Sequence, residues 1–232
     1  MTIPPINRMD DLLRLQLEIE DIQEDLRLLD VDFSNSKIGD FGCGDGFTTV
    51  SLATLLHPKL AFGIDKNADD INQAKALLEK IVCFRDDVAT LQDDYLKSVI
   101  DSLVNKNLII EFKTGNIVSD ENLLTGLHLA YCKKVLVNIF RGAYSNTENG
   151  WEGVCVVAKN IARTVSPSGL IILIEHADKY VDIKSCFEQA GLILKAKSRI
   201  QRYDIGLQGR ITNTLGVKSQ YVRYVFEKPL AT

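Results

Sequence analysis

Apolar residues recur along this chain in two rhythms: steps of three to four residues, and short unbroken runs. Residues 8–29 place Leu12, Leu15, Ile19, Ile22, Leu26 and Leu29 at steps of three and four with acids opposite, which predicts an amphipathic helix. Ser34-Asn35-Ser36 breaks that helix before a first strand, Lys37–Phe41. A helical pattern opens at Phe47, a second apolar run covers Leu60–Ile64, and Asn67 is placed to cap a helix through about Val82. Leu108–Phe112, Val135–Phe140 and Leu170–Glu175 read as the third, fourth and fifth strands. A helix spans about Val154–Val165, Ser166-Pro167-Ser168-Gly169 is a turn, and Asp182–Ala190 is helical with Gly191 as its stop. Ile193–Tyr203 and Tyr221–Glu227 are the last two strands, with no crossover helix between them.

This alternation predicts an α/β fold: a doubly wound, mostly parallel seven-stranded sheet with an antiparallel edge strand, helices on both faces and an extra N-terminal helix. At 232 residues the simplest count is one domain over 1–232, with a helical extension at 1–34. Val88, Leu91, Tyr95, Val99, Ile100 and Leu103 carry a further helical rhythm, so 84–106 reads as a helical insertion at one edge. The N-terminal helix and this insertion would act as lids or edge covers over the carboxyl ends of the strands.

The densest chemistry lies between the first strand and its helix. Ile38-Gly39-Asp40-Phe41-Gly42-Cys43-Gly44-Asp45-Gly46-Phe47 sets three glycines at alternate positions. There the backbone can take positive φ, and a ligand can approach with no Cβ in the way. The helix behind the turn points unpaired N–H groups into the same space, which suits an anionic group. Nineteen residues beyond Gly46 the second strand ends in Asp65, a carboxylate placed to accept two hydrogen bonds from a ribose diol. The spacing G-x-G-x-G after Asp40 departs from the G-x-G-x-x-G of dinucleotide-binding turns. It resembles motif I of the class I S-adenosylmethionine-dependent methyltransferases, an acidic residue followed by G-x-G-x-G. Asp65 matches that family's acid at the end of the second strand, and the order of elements from about residue 35 onward resembles the family's fold.

The resemblance implies S-adenosylmethionine as cofactor. It lays the main chain of Gly42, Cys43, Gly44 and Gly46 against the aminoacyl part, with Asp40 and Asp45 near its cationic centres. Asp65 would hold the ribose, with Lys66 beside it. Asn116, with Ile117 next to it, stands where the family often has an acid that meets the adenine amino group; Gly115-Asn116 reads equally well as a plain turn. Asn138 would face the crevice near the methyl group. It is followed by Ile139-Phe140-Arg141 rather than Pro-Pro and an aromatic, and the chain has no Pro-Cys pair, so neither route of base methylation is expected.

Methyl transfer to a nucleophile mainly requires in-line placement, with a general base only for nucleophiles of high pKa. His176 and Glu175 after the fifth strand and Tyr144 in the loop after the fourth are the weak candidates for that role. Trp151 reads more readily as core than as acceptor pocket, and Arg210 stands in a flexible loop where an anionic substrate group could meet it.

Charge narrows the acceptor. The net charge of −4 argues against a chain built to hold nucleic acid. Residues 1–34 carry nine acids and three bases, while 192–228 carry eight bases and two acids. The basic end reads as a solvated face, or as an attractor for an anionic substrate. The expected partner is therefore a small-molecule acceptor, anionic under the second reading, with no membrane partner and an open oligomeric state. Five cysteines, never spaced C-x-x-C, read as reduced thiols of a cytoplasmic protein without a metal site. A protein side chain as acceptor, a silent cofactor-binding scaffold, an aminopropyl transferase and a nicotinamide oxidoreductase remain as alternatives.

Overall fold

The computed structural model describes residues 8–27, 29–88, 97–98, 101, 108–119, 123–136, 147–176, 182–203 and 218–230. Its elements run α1 (Arg8–Leu26), β1 (Lys37–Phe41), α2 (Phe47–Leu56), β2 (Leu60–Asp65), α3 (Ala68–Val88), β3 (Ile110–Thr114) and β4 (Leu127–Lys133). The chain continues through α4 (Thr147–Thr164), β5 (Val165–His176), α5 (Ile183–Gln189), β6 (Ile193–Tyr203) and β7 (Lys218–Glu227). One seven-stranded sheet has the order β3-β2-β1-β4-β5-β7-β6. Strands β1 to β5 run parallel, and β7 is antiparallel to both β5 and β6, between which it is inserted. The doubly wound α/β sheet predicted from the alternation is present.

The period-two alternation of the strands sorts two cores. Ile38, Leu129, Tyr131, Ile172 and Ile174 face one side, where Ile22 of α1 and Leu52 and Ala53 of α2 cover them. On the other side Phe62, Ile64, Ala130, Cys132, Ile171 and Leu173 pack against α4 and α5 through Val154, Val157, Ile161, Cys186 and Phe187.

Several expectations are corrected. The fourth strand is Leu127–Lys133, not Val135–Phe140. Pairing decides this: Leu129 to Cys132 align with Ile38 to Phe41 of β1, whereas Lys134 turns out of the strand at φ 60°. A run of apolar residues fits a buried strand wherever it falls, and only the β1 partner selects the earlier one. Residues 137–140 lie outside the described residues. The third strand lies two residues later than predicted, at Ile110–Thr114. The expected turn at Ser166–Gly169 is present, but as an irregularity inside β5, where Ser168 takes φ 60° and the pairing with β4 shifts register. Residues 84–88 of the supposed insertion continue α3, and most of the rest lies outside the described residues.

The cysteines are not all thiols. Cys155 of α4 and Cys186 of α5 form a disulfide with Cα atoms 4.7 Å apart, while Cys43 and Cys132 are free and buried. The two helices meet on one face of the sheet, a proximity that a separation of 31 residues does not announce.

Helix α1 is a core layer on one face of the sheet, and its Arg14 and Glu18 also cover the carboxyl ends of β1 and β4 through Asp45 and Lys133. Leu15 and Ile19 pack with Phe47 and Val50 of α2 and with Ile71 and Ala74 of α3. The acids expected to lie in solvent are partly inside: Glu18 is 5% and Asp25 0% exposed. Asp25 accepts hydrogen bonds from Tyr131 Oη at 2.6 Å and from Arg202 and Arg223, themselves buried on β6 and β7. Two cations of the basic C-terminal segment are thus turned inward to the acidic helix at the other end of the chain, while Lys195, Lys197 and Arg199 are exposed, as a solvated face requires. Arg210 lies outside the described residues.

Candidate active site

At the carboxyl end of β1 the chain turns through Gly42, Gly44 and Gly46 at φ 75°, 53° and 90°. Cys43 and Gly42 both donate their N–H groups to the Ile64 carbonyl, at 3.1 and 2.8 Å, which locks the turn onto β2. The glycines serve different needs. A Cβ at Gly42 would stand 2.2 Å from Val135 Cγ2, and one at Gly46 2.7 Å from Ala74 Cβ, so both are demanded by packing. A Cβ at Gly44 would meet nothing within 4 Å. Gly44 alone faces open space.

Asp65 stands beside that opening. Its Oδ2 accepts from Gly44 N at 3.1 Å and its Oδ1 from Asn67 N at 2.9 Å. Each oxygen keeps a second lone-pair direction for a further donor. The Asp65 carbonyl accepts from Gly115 N at 2.9 Å, which brings Asn116 alongside. Asn116 itself closes a turn, its Oδ1 accepting from Val118 N at 3.0 Å. Ile117 is buried in the core, and its carbonyl accepts from Asn160 Nδ2 of α4 at 2.6 Å. Lys66 is exposed.

Beneath the turn lies a buried polar floor. Asp40 is 2% exposed, and its Oδ2 accepts from Thr49 Oγ1 at 2.7 Å. Burial, aided by the charges of Glu18 and Asp65, pushes its carboxyl up to about 7 against the pull of Thr49 and Lys133. Glu18 reaches in from α1, accepting from Lys133 Nζ at 2.6 and 2.8 Å and from Thr48 Oγ1 at 2.8 Å. Burial works to raise its carboxyl, but the charge and hydrogen bond of Lys133 and the bond from Thr48 prevail and hold it below the ordinary range. Asp45 lies in the turn itself and already has a cation, which bears on its expected place near the cofactor's cations without removing it from there. It accepts from both terminal guanidinium nitrogens of Arg14, at 2.5 and 2.9 Å, with Arg14 lying 4.1 Å above the Phe47 ring centroid. Burial, with the charges of Asp40 and Asp65, pushes the Cys43 thiol far above its usual range and favours its neutral form.

His176 ends β5, two strands across from the turn, about 10 Å at the usual strand spacing. Its ring lies 4.6 Å from that of buried Tyr221, over which Lys134 Nζ also sits at 4.9 Å. Glu175 is fully buried and accepts from Leu136 N at 2.7 Å, which fixes the chain leaving β4. Trp151 packs against the α4–α5 core. Tyr144 and Asn138 lie outside the described residues. The fold thus brings Asp40, Gly44, Asp65 and Asn116 together and leaves His176 apart from them. The sequence reading missed Arg14, Glu18 and Lys133. The signal for Arg14 and Glu18 is the polar stripe Arg14, Glu18, Asp21, Asp25 at steps of four, three and four, parallel to the apolar one.

No protein-family model matches the chain, and no curated protein does. Solved structures do. A methyltransferase in complex with the Haloferax volcanii Trm112 activator covers 97% of this chain and 95% of its own at 12% identity, TM-score 0.61. An S-adenosylmethionine-dependent methyltransferase from Methanosarcina mazei covers 85% and 94% at 13% identity, TM-score 0.59. The N-methyltransferase NodS from Bradyrhizobium japonicum covers 92% and 97% at 12% identity, TM-score 0.57. The chain has the class I methyltransferase fold, in the sheet order and in the strand–glycine-turn–helix at its centre. At these identities the likeness concerns architecture alone.

Proposed function

We propose that the protein is an S-adenosylmethionine-dependent methyltransferase acting at an oxygen or nitrogen of a small molecule. One observation carries the reading: Gly44 opens onto free space directly beside the Asp65 carboxylate, at the crevice where open α/β sheets take ligands. The residues present fit the cofactor. Gly46 caps α2 without any side-chain acceptor, so the first N–H groups of that helix are open to a carboxylate. Asp65 would accept from the ribose hydroxyls, Gly115-Asn116 would border the base, and Asp40 would supply negative charge under the aminoacyl end. The bound cofactor supplies an electrophilic methyl group on a sulfonium. The residues here bind and orient it for in-line attack by the acceptor.

The small-molecule acceptor is supported by the net charge of −4 and by the internal neutralisation of Arg202 and Arg223, which removes them from any surface that could hold a polyanion. No helix among the described residues is long and apolar enough to cross a membrane. A cytoplasmic setting belongs to the same proposal, resting on where the cofactor is supplied; the cysteine argument for it falls with the Cys155–Cys186 bridge.

Titration calorimetry with S-adenosylmethionine, S-adenosylhomocysteine and NAD tests the cofactor. Binding of the first two and not the third is expected, and the reverse overturns the reading. Transfer of a labelled methyl group across hydroxy and amino acceptors then separates an enzyme from a scaffold that binds without turnover.

A further inference from the structure

The polar floor holds more negative charge than it can neutralise. Around Asp40 stand Glu18 from α1, Asp65 from β2, Cys43 from the glycine turn with Asp45 near it, and Lys133 and Cys132 from β4; α2 gives the hydroxyl of Thr49 to Asp40 and that of Thr48 to Glu18, and Asp21 lies further out against Glu18, Lys133 and Arg202. Arg14 completes the group through its pair with Asp45. Both cations are already engaged, Lys133 by Glu18 and Arg14 by Asp45. Asp65 is served by two backbone N–H groups and Asp40 by one hydroxyl. An ionised Asp40 would therefore be a buried carboxylate with no cation of its own, a state that proteins avoid by keeping the proton.

Resting on the cofactor reading above, we propose that Asp40 holds a proton in the free protein and yields it when the ammonium of the cofactor's aminoacyl end arrives, so that cofactor capture releases a proton to solvent. The balance is simple: the O–H bond of the Asp40 carboxyl breaks, the proton leaves to water, and the incoming ammonium takes its place as counter-charge. No other group need change state. The direction of the Asp40 shift, up to about 7, agrees with this geometry. Binding should then strengthen as pH rises toward about 7, by up to roughly tenfold per unit in the acid range, and level off above it.

The test is calorimetry of S-adenosylhomocysteine binding near pH 6.5 in buffers of low and high ionisation enthalpy, beside 5′-methylthioadenosine, which lacks the ammonium. Expected are a buffer-dependent enthalpy showing release of a large fraction of one proton for S-adenosylhomocysteine, and none for 5′-methylthioadenosine. Asp40→Asn should lose most of the release; the ligand's own amino group titrates equally with either protein, so the difference isolates Asp40. Thr49→Val gives a second measure, since it removes the hydroxyl that favours the carboxylate. It should move the midpoint of the pH–affinity curve upward. Binding with identical enthalpies in both buffers, equal release with both ligands, or an unmoved midpoint in Thr49→Val overturns the proton exchange and leaves the cofactor assignment standing. No binding of either ligand at any pH overturns both.

Discussion

At the scale of single residues, three glycines that look alike in sequence separate into two kinds. Gly44→Val should abolish S-adenosylmethionine binding, because its side chain fills the one opening in the turn, at a stability cost of roughly 1–2 kcal/mol for a left-handed backbone. Gly42→Val should do the opposite kind of damage, driving a Cβ into Val135 and unfolding the turn at lower temperature. Thermal melts with parallel calorimetry distinguish them; equal losses of stability would contradict the packing argument. Asp65→Ala should weaken cofactor binding by about 1–3 kcal/mol, the scale of hydrogen bonds to a charged group. Unchanged affinity there would remove the ribose assignment. Asp65 and the turn were legible in sequence because a positive φ and a strand-end acid are local facts. The opening at Gly44 was not, since it depends on what Ala74, Phe112 and Val135 fill elsewhere.

At the scale of elements, α1 is tied to the sheet by a buried charge cluster. Asp25→Ala would leave buried Arg223 without its carboxylate and Arg202 with only Asp21 at 3.7 Å, and should cost roughly 3–5 kcal/mol, read as a fall in the urea midpoint. A shift within error would mean that α1 is held by its apolar stripe alone. Helices α4 and α5 are joined differently: Cys186→Ser should lower stability by about 2–4 kcal/mol under oxidising conditions, and much less with excess reductant present. Equal melting of the two proteins in the absence of reductant would speak against the bridge. Helix α5 was read correctly to within a residue, because Asp182 caps it, accepting from Ser185 N, and Gly191 ends it at φ 84°. The fourth strand was misplaced because no local signal distinguishes Leu127–Lys133 from the apolar run that follows it. The β1 edge chooses between them.

At the scale of the whole molecule, the two charged ends of the chain meet across the sheet, and the fold holds carboxylates at two depths. Asp21 and Asp40 have carboxyls raised to about 6 and about 7, so between the ordinary carboxylate range and those values the native state binds more protons than the unfolded chain. Stability contributed by these two groups is fully present below that range and declines as pH rises through it. Glu18, held low, acts oppositely and is lost only in stronger acid. Melting temperature should therefore be higher near pH 5 than near pH 8, and Asp40→Asn should flatten that slope; a rise with pH would refute the assignment. By itself the sequence determined the α/β alternation, the glycine turn with its following helix, the acid closing the second strand and both ends of α5. These follow from backbone preferences and side-chain period within a few residues. Tertiary structure alone decided the fourth strand, the Cys155–Cys186 bridge, the anchoring of α1 and the buried carboxyl of Asp40 beneath the turn. Each depends on which distant groups come within a few ångströms, and hydrophobic period holds no record of that distance.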